Sequence, residues 1–266
     1  MKTKIFYLLC LTALLGFTAC NQAAQETTEE PYGNPAAEGF NAAESDAQAI
    51  AVADEVMEAM GGRKAWDETH YVCWKFFGRD ELVWDKWTGN VRIDRPNGMT
   101  LLSNIHEGTG KAFMNGREIT DADSVSNLMQ TAKRIWINHS YWLVMPFKLK
   151  DSGVTLKYLG ADTTQDGKSA DKLMMTFQEV GVTPDNKYEV WVDKGTRLVS
   201  QWAFYQTFET DTPRFVNPWV EYNKHGNVML STSRGRGKME DIMVFEELPE
   251  TVFTSPEKPD LKAMMQ

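Results

Sequence analysis

Four histidines, His70, His106, His139 and His225, are the first residues to consider for chemistry, and they are scattered along the chain. None belongs to an H-E-x-x-H helix or to a paired His/Cys spacing of the kind that holds zinc. There is no Gly-x-Ser-x-Gly elbow and no phosphate-cradling loop. Asp162-x-x-x-Asp166-Gly167 begins like a calcium loop. Thr164 then occupies the third position and Leu173 stands where the bidentate Glu belongs, so the segment reads as a hairpin turn. His106 and Glu107 could form an acid/base pair, but neighbours on a strand point to opposite faces. These observations predict no catalytic residue, no metal and no cofactor.

Aromatic side chains are the more prominent resource. The nine tryptophans fall at 66, 74, 84, 87, 136, 142, 191, 202 and 219. Each aromatic buries roughly 150–250 Å², and a core of this size needs fewer of them. Strand alternation places Trp74 with Phe76, Leu82 with Trp84, Met175 with Phe177, and Trp202 with Phe204 on common faces. Several of these strands are apolar on both faces and need two coverings. The rings can fill a plain core, line an apolar ligand cavity, or stand exposed and stack on sugar rings. The residues assigned to a cavity are Trp74, Phe76, Trp84, Met129, Trp136, Met175, Phe177, Trp202 and Phe204.

The elements that must position these residues are legible as periods. Ser45-x-x-Gln48 reads as a capping box for a helix whose buried face is Ala49, Val52, Ala53, Val56 and Met60, ended by Gly61-Gly62. Strand-like runs follow at 71–77, 82–87, 90–95, 99–106 and 111–114. From Thr120 to Met145 the period becomes helical, with Val125, Leu128, Met129, Ala132, Ile135 and Trp136 on one face, until Pro146 stops it. Strands resume at 154–159, 172–178, 188–192, 197–206, 216–222 and 228–231. Turns as short as Asp193-Lys194-Gly195 imply antiparallel neighbours. The expectation is mostly antiparallel β with α: one large curved sheet with an N-terminal helix and a helical insert acting as a lid.

The N-terminus has the parts of an export signal: Lys2 and Lys4, an apolar run from Ile5 to Leu15, then Thr18, Ala19 and Cys20. The run is about eleven residues, and crossing a bilayer takes about twenty. Phe17-Thr18-Ala19-Cys20 resembles the lipobox of bacterial lipoproteins, with Phe17 where Leu or Val is usual. That resemblance implies cleavage before Cys20 and three acyl chains on it, on the order of 30 kcal/mol of transfer free energy. Residues 21–46 carry Glu26, Glu29, Glu30, Glu38, Glu44 and Asp46 against no base and show no apolar period, which predicts a flexible tether. Without Lys2 and Lys4 the net charge falls from −9 to −11, which excludes nucleic acid as a partner. Cys10 leaves with the signal and Cys20 is lipidated, so Cys73 alone remains and no internal disulfide can form. Ser233-Arg234-Gly235-Arg236-Gly237-Lys238 is the one basic patch; it could touch lipid phosphates, and it reads first as a solvated hairpin loop. The expected division is signal 1–19, lipidated cysteine and tether 20–45, and one domain 46–266.

Gly61-Gly62-x-x-Ala65-Trp66 and Glu189-x-Trp191-Val192-Asp193-x-x-Thr196-x-Leu198 resemble LolA/LolB-like envelope proteins. Tyr141-Trp142-x-x-x-Pro146-Phe147-Lys148-Leu149-x-Asp151-x-Gly153-Val154 is similar to a family of lipoproteins from Bacteroidota. Together the matches span most of residues 46–234. The resemblance implies a half-barrel that covers helices and holds acyl chains on its concave side. The expected function is a non-catalytic, monomeric lipoprotein of the outer membrane, on its periplasmic face or the cell surface, binding a lipid or another lipophilic molecule. A glycan-binding lipoprotein and an envelope hydrolase with an unrecognised site are the alternatives. Cys20→Ser is expected to leave an unprocessed or soluble product; full retention in the membrane fraction after a high-salt wash would contradict the anchor.

Overall fold

The computed structural model describes residues 32–178 and 185–265. The signal segment, Cys20 and the first part of the expected tether lie outside the described residues. The rest of that tether is docked rather than free. Ala37 donates its N–H to the Lys150 carbonyl, Asn41 to Val154, and Asp46 to Leu156, each at 2.9–3.0 Å. The capping box is not formed either. Helix α1 (Ala47–Ala59) is preceded by Asp46, which makes no side-chain cap. Ser45 instead donates its hydroxyl to the Asn41 carbonyl and accepts the Leu156 N–H at 3.0 Å. A polar residue at a helix entry satisfies whichever partner tertiary structure brings closer, and here that is a strand.

Helix α1 buries Ala49, Val52, Ala53, Val56 and Met57, with Met60 also fully covered. Gly61 follows at φ +111°, and a second helix, α2 (Gly62–Glu68), begins at once. A β-carbon on Gly61 would lie 2.2 Å from the Asn227 carbonyl. The stop is therefore steric as well as conformational.

Six strands come next: β1 (Tyr71–Phe76), β2 (Asp80–Asp85), β3 (Asn90–Asp94), β4 (Met99–Asn104), β5 (Thr109–Met114) and β6 (Arg117–Glu118). Helix α3 (Ala122–Val144) interrupts them. Then follow β7 (Val154–Thr163), β8 (Ser169–Phe177), β9 (Lys187–Asp193), β10 (Val199–Tyr205), β11 (Phe215–Pro218), β12 (Val220–His225), β13 (Val228–Arg234) and β14 (Gly237–Phe245), and a short helix α4 (Thr251–Thr254). Strand β14 has no counterpart in the sequence reading. Asp241 takes φ +48° and the register against β1 shifts there, so the bulge breaks the period of two that would have revealed it.

All paired strands are antiparallel, in ladders ordered β12-β13-β14-β1-β2-β3-β4-β5-β6 and β11-β10-β9-β8-β7. The ladders meet in one stretch of chain. β11 pairs with β10 and, past Trp219, β12 pairs with β13. Trp219 itself donates its N–H to the Ser200 carbonyl at 2.8 Å. The segment expected as one strand, 216–222, is thus the seam between two open sheets, one of nine strands and one of five, where one curved sheet was expected. One outer edge, β6, has two residues; the other, β7, is covered by the docked 37–46 segment, as edge strands require.

Side chains divide the nine-stranded sheet into two faces. Val72 and Trp74 face the core under α1 and α3, whereas Cys73 joins Val83, Met243, Phe245 and Val252 on the other. Burial pushes the Cys73 thiol well up, so it is unreactive. Fully buried Arg92 pairs with Asp94 and donates to the carbonyls of Val252, Ser255 and Pro256, tying the C-terminal segment to that second face. Gly61→Val is expected to lower the thermal midpoint, with a cost above about 1 kcal/mol. An unchanged midpoint would remove the steric stop.

Candidate functional site

Helix α3 begins where Asp121 accepts the Ser124 N–H at 2.9 Å, with Asp123 in the first turn against the positive end of the helix dipole. It stops at Val144, since Pro146 lacks the N–H needed to continue, and a 3-10 turn (Met145–Lys148) follows. Met129 and Ala132 are buried, while Lys133, Arg134 and Asn138 are exposed, as the period predicts. The helix crosses from one sheet to the other. Near its start Met129 meets Gly110 of β5, where a β-carbon would come within 2.5 Å of the Met129 sulfur. Trp136 is edge-on to Trp84 of β2 at 5.3 Å. Trp142 is edge-on to Trp202 of β10 at 4.8 Å and lies 5.6 Å from Phe215 of β11.

The structure gathers the expected cavity residues on this helix-covered side. Trp74, Met129, Met175 and Trp202 are buried; Phe76, Trp84, Trp136 and Phe177 are half-buried against the same core. Phe204 packs on Tyr188 and Phe215. Phe77, Tyr188, Phe215 and Trp219 pack in the same core and were not among the residues assigned to a cavity from sequence. The pairing of β9, β10 and β11 brings Tyr188 and Phe215 to Trp202, while Phe77 and Trp219 reach the core from just past the ends of β1 and β11. Trp87 alone among the nine tryptophans is largely exposed, at 59%, so the rings form no exposed row for sugars. The indole N–H groups of Trp74, Trp136, Trp202 and Trp219 are buried with no acceptor among the described residues.

Within the basic patch Arg236 and Lys238 are exposed, as expected of a solvated hairpin loop, but Arg234 is not. It is 1% exposed, and its guanidinium lies 3.4 Å over the Trp219 ring. Nε and Nη2 both donate to the Trp142 carbonyl, at 3.1 and 2.6 Å, and Nη1 donates to the Ser231 hydroxyl and the Ser233 carbonyl. Trp142 is in the last turn of α3, where carbonyls lack intrahelical donors and the dipole is negative. Burial pushes the Arg234 pKa down to about 9, so it remains a cation at neutral pH. No carboxylate pairs with it among the described residues. The sequence signal was the residue itself: a long cation three residues after a serine, indistinguishable from a loop arginine until the seam folds over it.

Beside it the seam opens into a cleft of about 780 Å³, walled by Phe77, Phe215, Val216, Asn217 and Pro218, with Arg234 at the end of β13 and Arg236 on the β13–β14 turn. Phe77 holds φ +48°, a costly conformation for a bulky side chain.

Two histidines find carboxylates. His139 Nε2 donates to Asp80 at 3.1 Å while its Nδ1 accepts from Asn138, and its ring stacks on Phe76. Burial lowers the His139 pKa, partly offset by Asp80, so it sits as a neutral pin between helix and sheet. His70 lies between Tyr71 and Trp87, 3.1 Å from both Asp85 and the Glu246 carbonyl. Among the described residues no serine, threonine or cysteine bonds to either ring, and no group of acids, histidines and cysteines is arranged to hold a metal.

No model of a known family and no curated protein matches the chain. Among solved structures, a DUF1329 family protein from Desulfovibrio piger is similar with a TM-score of 0.44 at 14% identity, over 77% of this chain and 96% of that one. A LolA superfamily protein from Nitrosomonas europaea gives a TM-score of 0.30 at 10% identity, over 78% of this chain and 97% of that one. MucB in complex with MucA(peri) gives 0.22 at 12% identity, over 77% of this chain and 58% of that one.

Arg234→Met is expected to destabilise the protein by about 1–3 kcal/mol, because it leaves the buried Trp142 carbonyl without a donor. Arg234→Lys recovers only part, since an ammonium cannot make the paired bonds while lying flat on an indole. The urea midpoint reports both; no change in Arg234→Met would show that the latch carries no load.

Proposed function

We propose that this protein is a non-catalytic envelope lipoprotein that binds a lipophilic ligand, an acyl chain or a whole lipid, between its sheet and α3. In this reading it acts as a monomer held on the periplasmic face of the outer membrane by the lipid on Cys20. The observation that carries it is the set of four buried indole N–H groups without acceptors, all in the helix-covered aromatic core. Protein interiors satisfy nearly all such donors, and each one left over costs about 1–3 kcal/mol. A lipid has the complementary chemistry, with apolar chains for the rings and ester or carboxyl oxygens for the N–H groups.

Helix α3 has the properties of a cover. Its C-terminal half is held by Arg234 and His139, whereas Ala122, Asp123, Ser124, Ser126 and Asn127 near its start are exposed. Elements that open are drawn from such lightly packed ends.

The test is a pair of measurements on Leu128→Ala and Trp136→Ala. A cover over a ligand space loses less than the 2–5 kcal/mol of a fully packed site, but weakens binding of a fluorescent fatty acid by about tenfold. A large stability loss in both variants, with no probe binding to the unaltered protein, would make the rings a plain core and end the carrier reading.

A further inference from the structure

The seam cleft carries a charge pattern that the packing of the core does not require. Its walls are apolar on one side, where Phe77, Phe215 and Pro218 lie, and cationic on the other. Arg236 is exposed and has no carboxylate partner among the described residues, although its neighbour Lys238 pairs with Glu221 at 3.1 Å. Behind it Arg234 keeps its charge with only neutral acceptors around it. In a chain with 37 acids and 28 bases, two arginines separated by one residue, with no acid paired to either among the described residues, mark a place of positive potential. A low-dielectric wall strengthens that potential.

The cleft wall also packs directly against the aromatic core under α3. Phe215 forms part of its wall and touches Trp202 at 5.5 Å and Trp142 at 5.6 Å. Phe77 lies edge-on to Trp142 at 5.3 Å. A molecule with its head at Arg236 would lay its apolar portion along Phe215 toward these tryptophans.

We propose that this cleft takes the anionic head group, a phosphate or a carboxylate, of an amphiphilic lipid, with Arg236 as its direct contact and Arg234 as a fixed charge behind it. The inference rests on the lipid-binding reading and names the polar end of the same ligand. Arg236 is the residue to alter, because it is exposed and holds nothing else in place, whereas Arg234 supports the fold. A guanidinium suits this role through its paired donors.

The experiment uses the full chain, purified without detergent, with dansyl-undecanoic acid and its uncharged methyl ester as probes. The acid is expected to bind roughly tenfold more tightly than the ester, as one charge-assisted contact allows. Arg236→Ala should abolish that difference without altering ester binding, Arg236→Lys should restore part of it, and Phe215→Ala should weaken both probes. Raising the salt concentration should narrow the difference, because Arg236 is exposed to solvent. Equal binding of acid and ester, or a difference that survives Arg236→Ala, would overturn the head-group site while leaving lipid binding intact. Displacement of the acid by equimolar inorganic phosphate would make the cleft a site for free anions and overturn the lipid assignment. Failure of both probes to bind would overturn the lipid-binding reading and this inference with it.

Discussion

The contact between the Arg234 guanidinium and the end of α3 is the one on which the rest of the architecture depends. A buried charge without a counter-ion is costly, and three features offset the cost here. The helix end presents the Trp142 carbonyl, which accepts two N–H groups. The Trp219 ring offers its electron-rich face, and Ser231 and Ser233 take further donors. Each of these comes from a different piece of the fold: the helix, the seam and strand β13. The guanidinium can be satisfied only when all three are assembled, so it couples the crossing of the helix to the meeting of the two ladders.

The seam itself follows from a simple constraint. An antiparallel sheet this long must bend or divide, and this one divides into two where the chain passes from β11 to β12 around Trp219. The fully buried indole at that point faces Trp202 at 5.8 Å, so the corner is filled rather than hollow. Residues 37–46 and the C-terminal segment then cover what the division leaves open. The first lies against the β7 edge; the second is held on the opposite face by Arg92. The two fully buried arginines thus play parallel parts, each gathering carbonyls from segments distant in sequence. They differ in that Arg92 has Asp94 beside it, while Arg234 has no acid and leaves its surroundings positive.

That difference links the packing to the proposed binding. The arginine that holds the helix also borders the cleft, and the aromatic rings of the cleft are shared with the interior beneath α3. A strained residue, Phe77, lies at the same junction. Strain in such places is commonly retained where a ligand is clamped. The aromatic rings lie under α3, and Phe77 and Phe215 of that core share the cleft with the exposed Arg236, an arrangement that suits the proposed amphiphile with one polar end.

Local periods determined much of the chain. The face of α1, the face and both ends of α3, and most strand positions were legible because each depends on neighbours within a turn or a pleat. The placement of most of the nine expected residues on the helix-covered side was readable for the same reason, by alternation on the strands and by helical period for Met129 and Trp136. Three things were decided only by tertiary structure. Ser45 abandoned its cap for Leu156 because a strand edge over a hundred residues away offered a partner. β14 was hidden because a bulge at Asp241, stabilised by pairing with β1, cancels its alternation. Arg234 looked like a loop cation because nothing within ten residues shows that a helix end and an indole face will close over it. Side-chain periodicity reports which face a residue occupies, but the burial of a charge depends on acceptors supplied by remote segments, and these exist only once the fold has formed.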